Sequence, residues 1–231
     1  FDKNTTVVEA RRSQCDQRTQ QYIAAADALV TLNSKDDKTL TNVSFVGKLN
    51  TNHLVFMGHS FGGATALTAA HRRPDLASAI VCHEPAIDWI PDDARFDLFD
   101  GKLKSGDVRY DGGAGGYKLQ GQKKVKNLHK KDMLFMFSQE WTEKNWGSQK
   151  QIQTMRDRGE LGPKEGISDC KSVAGSRHQG FSDMAMMTPV WLGREVGITG
   201  SRSPVDVAED IAQRTLLFVE QARRRVENTA K

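Results

Sequence analysis

The sequence lacks a long apolar run, and it contains few cysteines. A helix that crosses a membrane needs about 20 consecutive, mostly apolar residues, and no segment approaches that length. We therefore do not expect a transmembrane protein. The three cysteines, Cys15, Cys82 and Cys170, are odd in number and widely spaced, which argues against a disulfide framework and against paired zinc ligands. One disulfide and one free thiol would fit the same count, so the redox compartment stays open.

The chain also lacks a strong excess of charge of either sign. Its formal net charge of +4 is mild, which permits attraction to anionic lipid surfaces but predicts no nucleic-acid partner. We find no dense basic and aromatic surface of the kind that stacks bases. The chain begins at Phe1 with no initiator methionine and no signal-peptide pattern, so we expect an excised or processed piece. We expect a soluble protein, secreted or cytoplasmic, with peripheral contact to lipid surfaces left open.

Alternating strand and helix patterns favour an α/β protein. Short apolar runs typical of buried parallel strands occupy residues 53–57, 77–82 and 133–137, and helical patterns occupy residues 6–32, 64–70 and 203–225. This alternation predicts a mostly parallel sheet flanked by helices. With 231 residues we expect a single domain spanning 1–231.

Two further segments have clear patterns. Residues 101–131 are rich in glycine and lysine but lack the ending of a phosphate-binding loop, which predicts a solvated surface insertion, with a basic loop that faces lipid or a partner as the alternative. The last helix has acidic residues near its start and arginines near its end, which suits the helix dipole. We expect its buried stripe to consist of Val207, Ile211, Leu216, Leu217 and Val219.

A Gly-x-Ser-x-Gly motif lies between an apolar strand and an alanine-rich helix, at Gly58, Ser60 and Gly62. This context is typical of a nucleophile elbow, in which a strained turn exposes a serine hydroxyl to a base that takes its proton. The two glycines are expected to let the backbone pass close to the strand and the helix. The backbone N–H of Phe61 falls at the start of the helix, where an oxyanion would form. The motif predicts a serine hydrolase of the α/β-hydrolase type with Ser60 as the nucleophile.

In that fold the catalytic residues follow the chain order serine, acid, histidine. His178 lies in a short loop of small and polar residues and is the predicted base. The acid must accept the Nδ1–H of the base; Glu84, at the end of the second strand, is the first choice, with Asp88 and Glu140 as alternatives. The histidines show no metal-ligand spacing with glutamate or cysteine, so we expect no metal and no other cofactor.

Two segments carry a family resemblance. Residues 58–65 (GHSFGGAT) resemble the elbow of the platelet-activating factor acetylhydrolase family, the calcium-independent serine phospholipases A2. Residues 178–183 (HQGFSD) resemble the segment around the catalytic histidine of that family, and residues 135–140 are more loosely similar to its late strand. The similarity runs from about Val7 to the last helix, leaves out the insertion, and corresponds to the C-terminal part of the family fold.

The resemblance implies hydrolysis of the sn-2 ester of phospholipids that carry acetyl or short oxidised acyl chains, through an acyl-enzyme. By position, Ser60 would be the nucleophile and His178 the base. The family acid is an aspartate just after the next strand, where this chain has Glu84 with one residue inserted before it. That difference keeps Asp88 open as the acid.

The family meets its substrate through apolar helices, which implies substrate contacts for Trp89, Met186 and Trp191; ordinary core packing is the alternative. One departure is large, because only 59 residues precede Ser60 and they hold mainly one helix and a loop. An α/β-hydrolase has several strands there, and a loop among them supplies the second oxyanion donor. We therefore expect an incomplete domain, completed by a companion chain or a missing N-terminal segment.

Two other functions fit the same residues. The first alternative is a general short-chain carboxylesterase or a cutinase-like polyesterase, which would prefer simple or polymeric esters to phospholipids. The second is a non-catalytic hydrolase-fold subunit kept for binding or assembly. The intact serine, histidine and elbow glycines count against the second alternative.

Overall fold

A computed structural model describes residues 6–35, 42–95, 131–144 and 147–229 of the chain. The strands are β1 (Val55–His59), β2 (Ala79–His83), β3 (Asp132–Ser138) and β4 (Asp169–Val173). The helices are α1 (Val7–Ser34), α2 (Phe61–Arg72), α3 (Asp92–Arg95), α4 (Gln139–Lys144), α5 (Gly147–Asp157), α6 (Met184–Met187), α7 (Val190–Glu195) and α8 (Pro204–Thr229). No helix within these ranges is long and apolar enough to cross a membrane.

The four strands form one parallel sheet in the order β1-β2-β3-β4. His59 pairs in register with His83, and Ser138 with Val173, so the carboxyl ends of all four strands lie along one edge. The segments that follow the strands therefore meet at this edge, where α/β sheets commonly bind their ligands. The predicted parallel sheet with flanking helices is confirmed.

The two faces of the sheet are covered by different helices. Alternate residues of the central strands point to opposite faces. The face under α1 and α2 carries Phe56, Ile80, Cys82, Phe135 and Phe137. The other face carries Ala79, Val81, Leu134 and Met136, which pack with residues of α8. Both faces of β2 and β3 are thus buried, which explains why the sequences of these strands are continuous apolar runs.

The buried stripe of α8 differs from the sequence prediction at two positions. Leu216 and Leu217 are 68% and 61% exposed, whereas Phe218 and Ala222 are buried with Val207. Residues three, four and seven apart share a helix face, and that period leads from Val207 to Phe218 and Ala222. The prediction of Leu216 and Leu217 as core residues was wrong because it followed hydrophobicity rather than helical phase.

The outer edge of β1 has no neighbouring strand within the described ranges. The Tyr22 hydroxyl of α1 reaches this edge, where it accepts the N–H of Met57 at 3.0 Å and donates to the Met57 carbonyl at 3.4 Å.

The predicted insertion at 101–131 lies outside the described residues except for Lys131. The single-domain organisation and the missing N-terminal strands stay predictions.

Candidate active site

Ser60 sits on a strained turn between β1 and α2. Its backbone has φ 54° and ψ −115°, an unfavourable conformation for a residue with a Cβ, and such strain costs about 1–3 kcal/mol. Hydrogen bonds hold the turn: the Ser60 N–H donates to the His83 carbonyl at 2.9 Å, and the Ser60 carbonyl accepts from Ala64 and Ala86. The Ser60 hydroxyl does not cap α2. The turn thus has the strain and the support that a nucleophile elbow requires.

The glycines of the motif have unequal roles. A Cβ on Gly58 would lie 2.2 Å from the backbone of Gly62, and a Cβ on Gly63 would lie 3.0 Å from Pro85. A Cβ on Gly62 itself would meet nothing within 4 Å. The sequence predicts that Gly62 allows a close backbone approach, but the structure places the close approaches at Gly58 and Gly63. Of the two glycines in the predicted motif, only Gly58 is sterically required.

The start of α2 offers a donor next to Ser60. Phe61 is the first residue of α2, and the N–H groups of a first helical turn have no acceptor within the helix. The positive end of the helix dipole lies at the same place. This position suits an oxyanion donor, as the sequence predicts.

Glu84 and His178 form a hydrogen-bonded pair, although 94 residues separate them. His178 Nδ1 is hydrogen-bonded to the Glu84 carboxylate, whose other oxygen accepts the backbone N–H of Ser138 at 2.5 Å. Glu84 is fully buried and has φ 45°, and its own N–H donates to the Met136 carbonyl at 2.9 Å. A buried carboxylate needs such partners, because an unpaired one is costly to desolvate. The pair fixes the His178 ring at the carboxyl edge of the sheet.

The residues after β3 hold the His178 loop from the other side. Glu140 accepts the backbone N–H of His178 at 3.2 Å, and the Gln139 side chain accepts the N–H of Gly175 at 2.6 Å. Burial disfavours the charged form of Glu140, but hydrogen bonds from Lys144 and from the His178 backbone outweigh it and lower the pKa. Glu140 is therefore hydrogen-bonded to the backbone of His178, whereas Glu84 is hydrogen-bonded to its ring.

Aromatic rings surround the His178 imidazole. Trp141 is stacked on it with centroids 5.3 Å apart and planes within 8°, and His59 lies 4.6 Å from it. Phe181 in turn packs on His59 and on His83. Burial lowers the pKa of His59 and of His83 to about 4, and the nearby His178 contributes to the shift of His59. Both histidines are neutral near pH 7. Sequence reasoning missed these ring contacts, and the only signal was the position of His59 inside the motif.

The remaining candidate residues lie further from this pair. Asp88 is exposed, and its backbone carbonyl accepts from Arg12; no hydrogen bond joins it to His178 among the described residues. Trp89 is partly buried, 5.8 Å from the ring of Phe61. Met186 on α6 and Trp191 on α7 are 50% and 74% exposed. Met186 and Trp191 therefore do not pack in the core that the described residues form, and their contact with substrate stays a prediction.

The site also groups three side chains that ligate metals in other proteins. His59, Glu84 and His178 each offer a ligand atom, and these atoms lie within 4.8 Å of one another. The sequence spacing gave no sign of this cluster, since the three residues come from β1, the end of β2 and the loop after β4.

A comparison with known protein families gives a match for the first part of the chain. Residues 4–92 match the family described as PETase: PET hydrolase-like. This part of the chain is similar to PET hydrolases. The match covers α1, the elbow, β2 and Glu84, and it ends before β3. No curated protein matches the chain. Together with the parallel four-stranded sheet, the match is consistent with the predicted α/β-hydrolase fold.

The match also bears on the resemblance drawn from the sequence. It supports an esterase of the α/β-hydrolase type, and it points to the PET hydrolase-like group rather than to platelet-activating factor acetylhydrolases. A specific phospholipid substrate is not shown. Of the functions considered above, the carboxylesterase or cutinase-like polyesterase alternative has the better support.

Proposed function

We propose that this chain is a serine carboxylic ester hydrolase in which Ser60 is the nucleophile, His178 the general base and Glu84 the acid. The observation that carries the proposal is the hydrogen bond between the buried Glu84 and the partly exposed His178, whose imidazole packs on His59, the residue that precedes the strained Ser60. The match of residues 4–92 to PET hydrolase-like proteins supports the same reaction class independently.

The reaction follows from the tautomer that Glu84 selects. With Nδ1–H donating to Glu84, the lone pair of His178 is on Nε2 and can accept the Ser60 proton as Oγ attacks the ester carbonyl. The oxyanion of the tetrahedral intermediate accepts the N–H of Phe61. Collapse of the intermediate expels the alcohol, which takes its proton from His178. Water, deprotonated by the same imidazole, then attacks the acyl-enzyme and releases the acid and the free Ser60.

Glu84 suits the role of the acid because its surroundings keep it oriented. One carboxylate oxygen is occupied by the Ser138 N–H, so the other faces His178. The negative charge then stabilises the imidazolium that forms when His178 takes the proton. Asp88 lacks such an arrangement, and Glu140 supports the loop instead. Glutamate at this position is thus compatible with the chemistry.

The surface beside His178 supports a hydrophobic substrate. The short helices α6 and α7 come soon after His178. Together with the residue that follows α7, they expose a set of large apolar side chains, which we call the α6–α7 apolar patch: Met184, Met186, Met187, Val190, Trp191, Leu192 and Val196. Exposed apolar patches of this kind mark binding surfaces. An aromatic or aliphatic polyester, or a small ester with an apolar acyl group, fits this surface and the PET hydrolase-like match.

Hydrolysis of the sn-2 ester of phospholipids is the second candidate. The resemblance of residues 58–65 and 178–183 to the acetylhydrolase family favours it, and the α6–α7 apolar patch would also suit a lipid surface. The third candidate, a non-catalytic subunit, is disfavoured by the intact serine, histidine and buried acid.

We also propose that a companion chain or an N-terminal segment supplies the second oxyanion donor.

The test compares three substrates under calcium-free conditions: a soluble p-nitrophenyl butyrate, a PET film and an sn-2-acetyl phospholipid. Wild type, Ser60→Ala and a matched control, Ser34→Ala at the exposed end of α1, are assayed side by side. We expect turnover of the soluble ester and the film that is lost in Ser60→Ala and kept in Ser34→Ala. Preference for the phospholipid would favour the second candidate, and equal activity in Ser60→Ala would overturn the nucleophile assignment.

A further inference from the structure

We infer that His59, Glu84 and His178 form a binding site for Zn²⁺ and similar divalent transition-metal ions, and that an ion bound there blocks ester hydrolysis. The inference rests on the proposed function, because the blocked residues are its base and its acid. Two imidazoles and one carboxylate are a ligand set that zinc accepts in tetrahedral sites. Their ligand atoms already lie within 4.8 Å of one another.

His59 supplies the clearest sign of a vacant coordination position. Its Nε2 is buried and has no hydrogen-bond partner in the described part of the chain. Buried polar atoms are nearly always paired, and an unpaired one costs about 1–3 kcal/mol. An ion at this place would satisfy an atom that the protein alone leaves unpaired.

The geometry needs only a small adjustment. Zinc–ligand bonds of about 2.0–2.2 Å place tetrahedral ligand atoms roughly 3.3–3.6 Å apart. The widest separation in the cluster, up to 4.8 Å, therefore has to close by about 1.2–1.5 Å, whereas the hydrogen-bonded atoms of His178 and Glu84 have to move apart to reach the same spacing. Glu84 is held by Ser138, so the movement falls on His59 and His178.

Binding changes the protonation of the Glu84–His178 pair. The Nδ1–H of His178 now donates to Glu84. An ion that takes both residues as ligands displaces this proton from Nδ1, and the imidazole takes up a proton at Nε2, so that it stays neutral while Nδ1 and the carboxylate oxygen bind the ion. His178 is then held away from the orientation in which it accepts the Ser60 proton, and Glu84 no longer stabilises an imidazolium. Hydrolysis stops while the ion stays bound.

The selectivity among cations follows from the ligand types. Nitrogen ligands favour the later transition metals, so Cu²⁺ and Zn²⁺ are expected to bind more tightly than Mn²⁺. Mg²⁺ and Ca²⁺ prefer oxygen ligands and keep their water shells. The site is therefore expected to bind Zn²⁺ and not to bind Mg²⁺.

The experiment measures Zn²⁺ binding and esterase activity on the same full-length protein. Equilibrium dialysis against ZnCl₂ is run on wild type, on His59→Phe, which retains an aromatic ring but no ligand, and on His53→Gln as a matched histidine control near Glu227. We expect one Zn²⁺ per wild-type chain, affinity reduced about tenfold or more in His59→Phe, and affinity unchanged in His53→Gln. Inhibition by Zn²⁺, relative to each variant's own metal-free rate, should follow the same order and be reversed by EDTA.

A second measurement avoids the risk that His59→Phe misfolds. In wild type, the His178 proton that bridges to Glu84 should give a far-downfield proton NMR signal, and Zn²⁺ but not Mg²⁺ should remove it. Zn²⁺ binding that persists in folded His59→Phe, a signal unaffected by bound Zn²⁺, or activation by Zn²⁺ would each overturn the inference. Absence of metal-free ester hydrolysis would instead overturn the proposed function, while dialysis and NMR still decide on the site.

Discussion

Glu84→Gln removes the negative charge of the proposed acid and keeps its size and shape. In the wild type, one carboxylate oxygen accepts the Ser138 N–H at 2.5 Å and the other accepts the His178 Nδ1–H. The glutamine oxygen can keep the bond to Ser138, and its NH₂ group then faces His178. Nδ1 must become an acceptor, so the imidazole proton moves to Nε2, which can no longer take the proton of Ser60.

The size of the effect follows from this change of tautomer. An acid-to-amide substitution that leaves the geometry intact lowers kcat by about 10⁴, or about 5.4 kcal/mol in the activation free energy. KM should change little, because the lost interaction matters mainly in the transition state. The free energy of unfolding should fall by only about 1 kcal/mol, since both hydrogen-bond positions remain occupied.

The assay compares kcat for p-nitrophenyl butyrate in wild type, Glu84→Gln, Asp88→Asn and Glu140→Gln, with thermal unfolding followed by circular dichroism. The exposed Asp88 is the matched control, and Asp88→Asn should stay within about twofold of wild type. Glu140→Gln should lose at most about tenfold, because an amide oxygen still accepts the His178 N–H. If folded Glu84→Gln kept a tenth of the wild-type kcat, or if Asp88→Asn fell by 10³ or more, Glu84 would not be the acid.

Four further predictions concern the elbow and the surface. Ser60→Gly should abolish hydrolysis yet raise the free energy of unfolding by about 1 kcal/mol in denaturant titrations, because glycine relieves the strain at φ 54°. Gly58→Ala should lower that free energy by about 3 kcal/mol, since its Cβ would lie 2.2 Å from the Gly62 backbone. Gly62→Ala, with open space around the new Cβ, should instead raise it by about 0.5–1 kcal/mol. Trp191→Ala should reduce product release from a polyester film about tenfold and leave soluble-ester kcat/KM nearly unchanged.

Each of these predictions has its own contradicting result. A Ser60→Gly protein less stable than wild type would mean that the turn is not strained. Equal destabilisation by Gly58→Ala and Gly62→Ala would contradict the steric account of the motif. For Trp191→Ala the control is Leu216→Ala, an equally exposed apolar residue on α8, and equal losses on the film would show that the α6–α7 apolar patch has no special role.

The elements with strong periodicity could be predicted from the sequence, and those fixed by tertiary contacts could not. β2 and β3 are continuous apolar runs because both of their faces are covered, whereas β1 was predicted from its apolar residues although only Phe56 in it is fully buried. β4 was missed, since Lys171 and Ser172 are exposed and only Val173 is fully buried. An edge strand needs few apolar residues, so its sequence carries no strand pattern.

The candidate site likewise contains residues that the sequence predicts and residues whose roles appear only in the folded structure. The motif and the small polar loop were enough to nominate Ser60 and His178, because their chemistry imposes local sequence constraints. Choosing among the three acids needed the backbone of Glu84, whose positive φ and partner at Ser138 arise only when β2 and β3 pair. The positions of Trp141 and His59 around His178 likewise depend on strands that are distant in sequence.

The Glu84 carboxylate has one further consequence. It joins the end of β2 to the end of β3 through Ser138 and to the loop after β4 through His178, a contact between residues 94 positions apart. Closing so long a segment carries an entropic cost before the contact can form, so we expect this contact to form late in folding. If the proposed function is correct, esterase activity should return during refolding only when β4 and the His178 loop have docked.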